Sequence, residues 1–418
     1  MTTQTPDPVA APRRVRFNPF SPDFRRDPYP MYEQLREHAP VLKSLGTWVL
    51  TRHADVRAVL HDRSFSAGLI PSLVSEQARK LGQSDIGRVE RLGRKSLVFT
   101  DNPDHARLRG LVNRVFTARR VAELRPLVRR VSEALLAPAL ATGEFDVIAD
   151  LAAPLPITVL CEWMDLPPSL RERVGPWTHD IRFLLEPGLM KAADFARVVE
   201  VVESFAEALS EVLEQRKATP GDDLISELLT ARTGGGDSLA DEELVFVCIM
   251  CFVAGNETTK SLIGNGALAL LRHPDQVETL RERPESARAA VIEALRYDSP
   301  LQLTKRLATR DVEIGGTTIP EGDQVMVCMG AANRDPAVFE RPDTFDITRP
   351  GGDHLAFGHG MHGCLGGTLA ELQAEIALGR LFGGPERLTL ASDELTWQNH
   401  SFIVRGLTAL PVSIGVRS

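Results

Sequence analysis

Apolar positions follow a helical period over most of the chain. Pro30–Glu37 and Asp55–Leu60 predict short helices, and Thr47-Trp-Val-Leu-Thr51, rich in β-branched and aromatic residues, predicts a strand. Ser64–Leu97 mixes Gly, Pro and Ser with apolar patches, and predicts a long irregular connection with helical pieces. Helical patterns then dominate from Asp104 to Arg216. Asp241–Arg272 predicts one long helix of about 45 Å, with capping offered by Ser238 and Asp241 and a stop at His273-Pro274. From Leu244 to Val253 it is apolar on nearly every side, so it should run through the molecular centre. Glu285–Tyr297 predicts a further helix, and Thr304–Val327 short strands around Gly315-Gly316 and Glu321-Gly322 turns. A last helix is expected to begin near Cys364, with Leu365, Leu369, Leu372 and Ile376 on one face. The pattern predicts a mainly α chain with small β-sheets: a flexible tail over residues 1–16, then one domain over 17–418.

Composition narrows the function. A net charge of −8 argues against nucleic acid as main partner, since neutralising phosphates needs a basic surface. The polar, proline-containing N-terminus lacks the apolar core of a signal peptide, and no membrane anchor is expected. The five cysteines are odd in number and irregular in spacing, which predicts no disulfide framework and a reducing cytoplasm. Cys248 and Cys251 form C-x-x-C, but inside the long apolar helix and with no second ligand pair. They are expected to be small core residues.

Two segments carry chemistry. In Phe357-Gly-His-Gly-Met-His-Gly-Cys-Leu-Gly366, four glycines crowd Cys364 at a predicted helix start. There, unpaired N–H groups favour an anion and so a thiolate. Ala254-Gly-Asn-Glu-Thr-Thr259 puts a carboxylate and hydroxyls inside a buried helix, which costs several kcal/mol without partners. Either the run is functional, or Thr258 merely bonds back to the Ala254 carbonyl and bends the helix, or Glu257 and Lys260 face solvent.

The first segment resembles the heme-binding loop F-x-x-G-x-x-x-C-x-G of the cytochrome P-450 family, with Phe357, Gly360, Cys364 and Gly366 in place. The second resembles that family's A/G-G-x-D/E-T motif. The resemblance runs over nearly the whole chain from about residue 17. It implies the cytochrome P-450 fold, with the long helix over a heme b and the cysteine loop on the other side. Cys364 would be the axial thiolate ligand of the iron. Ala254 would lie over the heme, Thr258 would hydrogen-bond dioxygen and Glu257 would relay protons. His105, Arg109, Arg306 and His362 match positions that hold the propionates. Glu293, Arg296 and Arg349 match a structural triad, although Glu33/Arg36, Glu278/Arg281 and Glu285/Arg288 share the bare E-x-x-R spacing.

The implied activity is a monooxygenase that hydroxylates or epoxidises a hydrophobic small molecule, fatty acyl, polyketide/macrolide or terpenoid-like, using O2. Electrons would come from a ferredoxin with its reductase, and the enzyme would be a cytoplasmic monomer. Substrate contacts are expected from the Leu69–Val98 connection, Phe183–Leu185, Val253, Leu301, Leu303 and Phe402. Arg107, Arg114, Arg119 and Arg120 offer a basic face to an acidic partner. Glu371 departs from the family's pattern, where arginine is common, and puts the usual ferredoxin contact in doubt. A peroxide-driven hydroxylase and a non-catalytic heme-thiolate sensor are the alternatives; neither has a use for the Glu257/Thr258 pair.

Overall fold

A long helix, Asp241–Arg272, organises the structure, a computed structural model that describes residues 15–415. The tail expected over residues 1–16 therefore lies, except for Val15 and Arg16, outside the described residues. The long helix keeps the predicted bounds, but its start is capped differently. Ala240 is the cap residue, and Glu243 reaches back to accept its N–H at 2.9 Å.

Most of this helix is buried because other helices surround it: Pro154–Trp163, Ala192–Ala218, Ala287–Tyr297 and Gly367–Phe382. Gly266 shows how closely they approach. A Cβ there would meet Leu378 Cδ1 at 2.9 Å and Ala294 Cβ at 3.3 Å, so only hydrogen fits between three helices. Among the described residues this is the one helix long and apolar enough to cross a bilayer, yet 67% of its apolar window is packed inside protein.

The strands form small sheets to one side. Val41–Ser44 and Thr47–Leu50 make a hairpin, and Thr47–Leu50 pairs in parallel with Gln324–Val327. Thr304–Ala308 and then Phe65–Ser66 complete five strands. A second sheet joins Glu144–Asp146, Pro411–Gly415 and Arg387–Leu390. The connection expected to be irregular over Ser64–Leu97 is more ordered than its composition suggests. It holds two helices, Leu69–Lys80 and Gly87–Lys95, whose buried faces (Leu69, Val74, Ala78; Val89, Leu92) supply the order.

Candidate functional site: a cysteine loop facing the central helix

The cysteine loop is built on glycine conformations. Gly358 and Gly360 have φ of +70° and +72°, a region that costs other residues about 1–2 kcal/mol. A Cβ on Gly360 would also sit 2.8 Å from the Leu60 carbonyl oxygen. The Phe357 carbonyl accepts the Cys364 N–H at 2.8 Å and closes the loop. Phe357 packs its ring over Gly367, where a Cβ would meet it at 3.3 Å. The following helix begins at Gly367, three residues beyond the cysteine. Cys364 is thus outside the helix, and the N–H groups of Gly366 and Gly367 point at its sulfur.

Cys364 is the one exposed cysteine; Cys161, Cys248 and Cys328 are buried and Cys251 half-buried. Its surroundings nevertheless enclose it. Burial pushes its thiol up, while the Gly366 N–H, the Arg109 guanidinium and the Gly367 N–H draw it down. The sulfur therefore opens on a pocket lined by anion-favouring donors. Cys161 and Cys251 have only burial as their main influence and are pushed up to about 12, which keeps them protonated and inert.

The central helix exposes one small residue where its neighbours are buried. Ala254 is exposed, between buried Val253 and half-buried Gly255. Thr258 donates its hydroxyl to the Ala254 carbonyl at 2.6 Å. Glu257 does not face solvent; it is 9% exposed, and Lys260 Nζ lies 2.7 Å from its Oε2. Burial pushes this carboxyl up, but Lys260, with Arg182 and His400, brings it below the ordinary glutamate range. A charged, partnered carboxylate is thereby held inside the protein. Lys260, which the structural alternative turned to solvent with Glu257, instead closes on it from one turn away and is itself largely buried.

The four expected propionate partners converge. The His105 and His362 rings stand 4.3 Å apart between centroids. Both ring nitrogens of His105 and Nε2 of His362 are buried without a hydrogen-bond partner. Asp101 Oδ1 lies 3.7 Å from that Nε2, beyond hydrogen-bond range. Arg306 donates to the Lys305 carbonyl at 2.8 Å, and Arg109 to Asn113 Oδ1 at 3.1 Å. Burial pushes the Arg306 guanidinium down to about 10 and His362 down to about 4; His105 and Arg306 reinforce the latter. Orphaned buried donors and two arginines without an ion-pair partner among the described residues are what two buried carboxylates require. The residues present fit a heme. Asp101, which also accepts the Ser66 hydroxyl and the Ala67 N–H, is a member of this group that the sequence did not announce.

The E-x-x-R at 293–296 differs from those at 33–36, 278–281 and 285–288 in burial. Glu293 and Arg296 are 3% and 2% exposed, and both Arg296 Nε and Nη2 reach the carboxylate at 2.8 Å. Arg296 also donates to the carbonyls of Asn333, Pro342 and Thr344. Arg349 Nε stands 3.3 Å from Glu293 and its other nitrogens reach the Glu340 and Arg341 carbonyls. The three side chains pin residues 333–349, the segment that delivers the cysteine loop.

An apolar cavity lies along the central helix. Its lining joins Ile70, Val74 and Phe99 to Leu184, Leu185 and Val253. The Leu69–Val98 connection, the 183–185 segment and Val253 thus meet at one place. Leu301, Leu303 and Phe402 are not among its lining. Leu303 is fully buried in a separate apolar cluster with Phe17, Phe24 and Tyr32. Leu301 bridges Val404, and Phe402 packs edge-on to Phe20 at 5.0 Å.

The expected basic face is largely neutralised. Arg107 pairs with Asp237 and Glu243, Arg119 with Glu123, and Arg120 with Glu123, Asp222 and Glu227. Glu371 pairs with Arg288 at 2.9 Å.

Comparison with known proteins agrees with this geometry. The family model described as Cytochrome P450 matches residues 180–383. Vitamin D(3) 25-hydroxylase of Pseudonocardia autotrophica is 38% identical over 96% of both chains. 6-Deoxyerythronolide B hydroxylase of Saccharopolyspora erythraea is 36% identical over 94% of this chain and 98% of its own. The crystal structure of CalO2 superposes with a TM-score of 0.88 at 37% identity, covering 96% of this chain and 99% of that one. P450BioI, solved in complex with a hexadec-9Z-enoic acid ligated acyl carrier protein, gives 0.86 at 34% identity, covering 94% and 99%. The chain belongs to the cytochrome P450 family, whose fold it has and whose membership implies a heme cofactor. It is a monooxygenase, an oxidoreductase.

Proposed function

We propose that this monooxygenase inserts one oxygen atom of O2 into a hydrophobic small molecule seated in the cavity beside Val253. The observation that carries the reading is continuity along one helix. Val253 lines an apolar cavity, Ala254 and Thr258 face open space, and Glu257 holds a buried charge, all within six residues. Mostly apolar lining favours fatty acyl, polyketide or macrolide, and terpenoid-like substrates. Relatives named for vitamin D(3) and 6-deoxyerythronolide B support that range.

The cofactor is heme b. When bound it supplies O2 activation, assisted by electron density from the Cys364 thiolate. The protein's own residues do the rest. Gly366 and Gly367 N–H groups steady the sulfur as an anion. His105, His362, Arg109 and Arg306 would hold the propionates. Glu257 carries protons inward, and Thr258 positions them at its hydroxyl. Apolar walls exclude water from the cavity. Electrons come from a ferredoxin with its reductase, in a cytoplasmic, monomeric, single-domain enzyme over residues 17–418.

The test is turnover of compounds that perturb the heme spectrum, with a ferredoxin system and separately with peroxide. Oxygenated product with the ferredoxin system, lost in Cys364→Ser together with the thiolate's carbon monoxide difference spectrum, is the expected result. Product with peroxide alone overturns the reading in favour of a peroxide-driven enzyme. No product from any spectrum-perturbing compound overturns it in favour of a heme-thiolate sensor.

A further inference from the structure

Beyond the cavity's apolar lining lies a group of charges that the steps above use only in part. Arg182 follows the helix Pro168–Ile181 and is 8% exposed. Its guanidinium lies against one imidazole, with Nε 3.4 Å from His179 Nδ1 and Nη2 3.1 Å from Nε2, and the neutral ring can accept only one of these bonds. It has no ion-pair partner among the described residues. Lys305, half-buried on the strand Thr304–Ala308, has none either; its Nζ stands 5.8 Å from the Phe402 ring centre.

The carboxylates nearby are already committed. Glu186 accepts the Ser401 hydroxyl and, at 3.0 Å, the Phe402 N–H, and it feels both Arg182 and Lys305. Glu257 is paired to Lys260. His179 and His400 are pushed down, by burial first and then by Arg182, and stay neutral near pH 7. Asp180, which also acts on Arg182, is paired to Arg197 at 2.9 Å. Apart from that pair, three cations (Arg182, Lys260, Lys305) face two carboxylates (Glu186, Glu257), which leaves one positive charge uncompensated in a partly desolvated place.

The cluster adjoins the cavity directly. Ile181, Leu184 and Leu185, on either side of Arg182 in the chain, line the cavity. Val253 lines it too, and Glu257 is one turn further along the same helix face. The cavity wall and the charged group are thus carried by the same two segments, 181–186 and 253–260.

We propose that Arg182 and Lys305 form a subsite for the anionic end of an amphipathic substrate, a carboxylate joined to an apolar body. This rests on the reading of the cavity as the substrate site. A guanidinium offers a carboxylate two parallel N–H bonds, and a buried cation left without an anion is costly. A site built this way rejects the neutral analogue strongly, because binding it leaves the cation unpaired.

Titrating the heme-loaded protein with lauric and myristic acids and with their methyl esters tests this, read by heme spectral shift and by calorimetry. The acids are expected to bind about tenfold or more tightly than their esters. Arg182→Gln is expected to reduce that preference to about twofold or less, Arg182→Lys to keep part of it, and Lys305→Gln to weaken it. The carbon monoxide difference spectrum of each variant reports whether the heme site is intact; Lys305→Gln serves if Arg182→Gln does not fold. Equal binding of acid and ester overturns the subsite and leaves the hydrophobic-substrate reading standing. Acid preference unchanged in all the variants overturns the assignment to these residues. No binding by either series overturns the subsite together with the reading beneath it.

Discussion

Lys260 Nζ stands 2.7 Å from Glu257 Oε2 inside the central helix, with neither side chain more than 15% exposed. The lysine is what keeps the carboxyl below its ordinary range against burial, with Arg182 and His400 adding to it. Lys260→Gln removes the chief opposing influence, so burial prevails and the Glu257 pKa rises. Glu257 then takes up its proton at higher pH. The acid limb of the kcat profile is expected to move to higher pH than in the parent enzyme. A profile whose acid limb stays in place would show that Glu257 does not control it.

Arg296 is buried with five donors in use, to Glu293 and to three carbonyls. Arg296→Ala abandons a buried carboxylate, a change that costs about 3–5 kcal/mol. Urea unfolding is expected to show that loss. Arg296→Lys is expected to recover little, because an ammonium cannot reproduce the planar fork. Arg349→Ala, which removes a 3.3 Å contact to Glu293 and carbonyl bonds at a more open position, should cost less. Equal costs for the two arginine deletions would contradict this order.

Gly360 and Gly366 make a controlled comparison. Gly360→Ala meets both a left-handed backbone and the Leu60 carbonyl. It is expected to lower the melting temperature, with about 1–2 kcal/mol from conformation alone. Gly366 has ordinary φ, −88°, and an added methyl meets no protein atom within 4 Å. Gly366→Ala should leave the polypeptide's stability nearly unchanged, so any defect it shows will appear in heme retention. The opposite ranking in thermal melts would refute the argument.

His400 is pushed down to about 4, by burial and then by Arg182, with Lys260 and His179 adding to it and Glu257 opposing. Unfolded histidine titrates near 6.5. Between those values the unfolded chain binds a proton that the folded chain does not, so stability falls as pH drops from about 6.5 towards 4. His400→Gln removes this contribution. Its melting temperature is expected to fall less than the parent's across that interval. Parallel curves would mean that His400 is freely protonated in the folded protein.

The long helix was legible because apolarity on every side leaves only a buried interpretation, and the cysteine loop because its glycines and thiol recur at fixed spacing. Its cap was not: Ser238 and Asp241 have the right chemistry, but backbone geometry put Ala240 at the junction and gave the work to Glu243. Leu303 illustrates a second limit. The family resemblance suggested a substrate contact, while the fold places it in a separate apolar cluster with Phe17 and Tyr32. The pairing of Arg107 and Arg120 with Glu243 and Glu227 joins residues more than a hundred positions apart, and no local pattern encodes it.

The Thr258 hydroxyl owns a single proton, and the Ala254 carbonyl holds it at 2.6 Å. While that bond lasts, Thr258 can only accept from whatever occupies the space above Ala254. For it to donate there, the hydroxyl must rotate and surrender the carbonyl, which falls back on its helical N–H partner alone. The two bonds exclude one another. Valine at position 258 would keep the shape and remove both options, whereas serine would keep the choice and free the rotor that makes it.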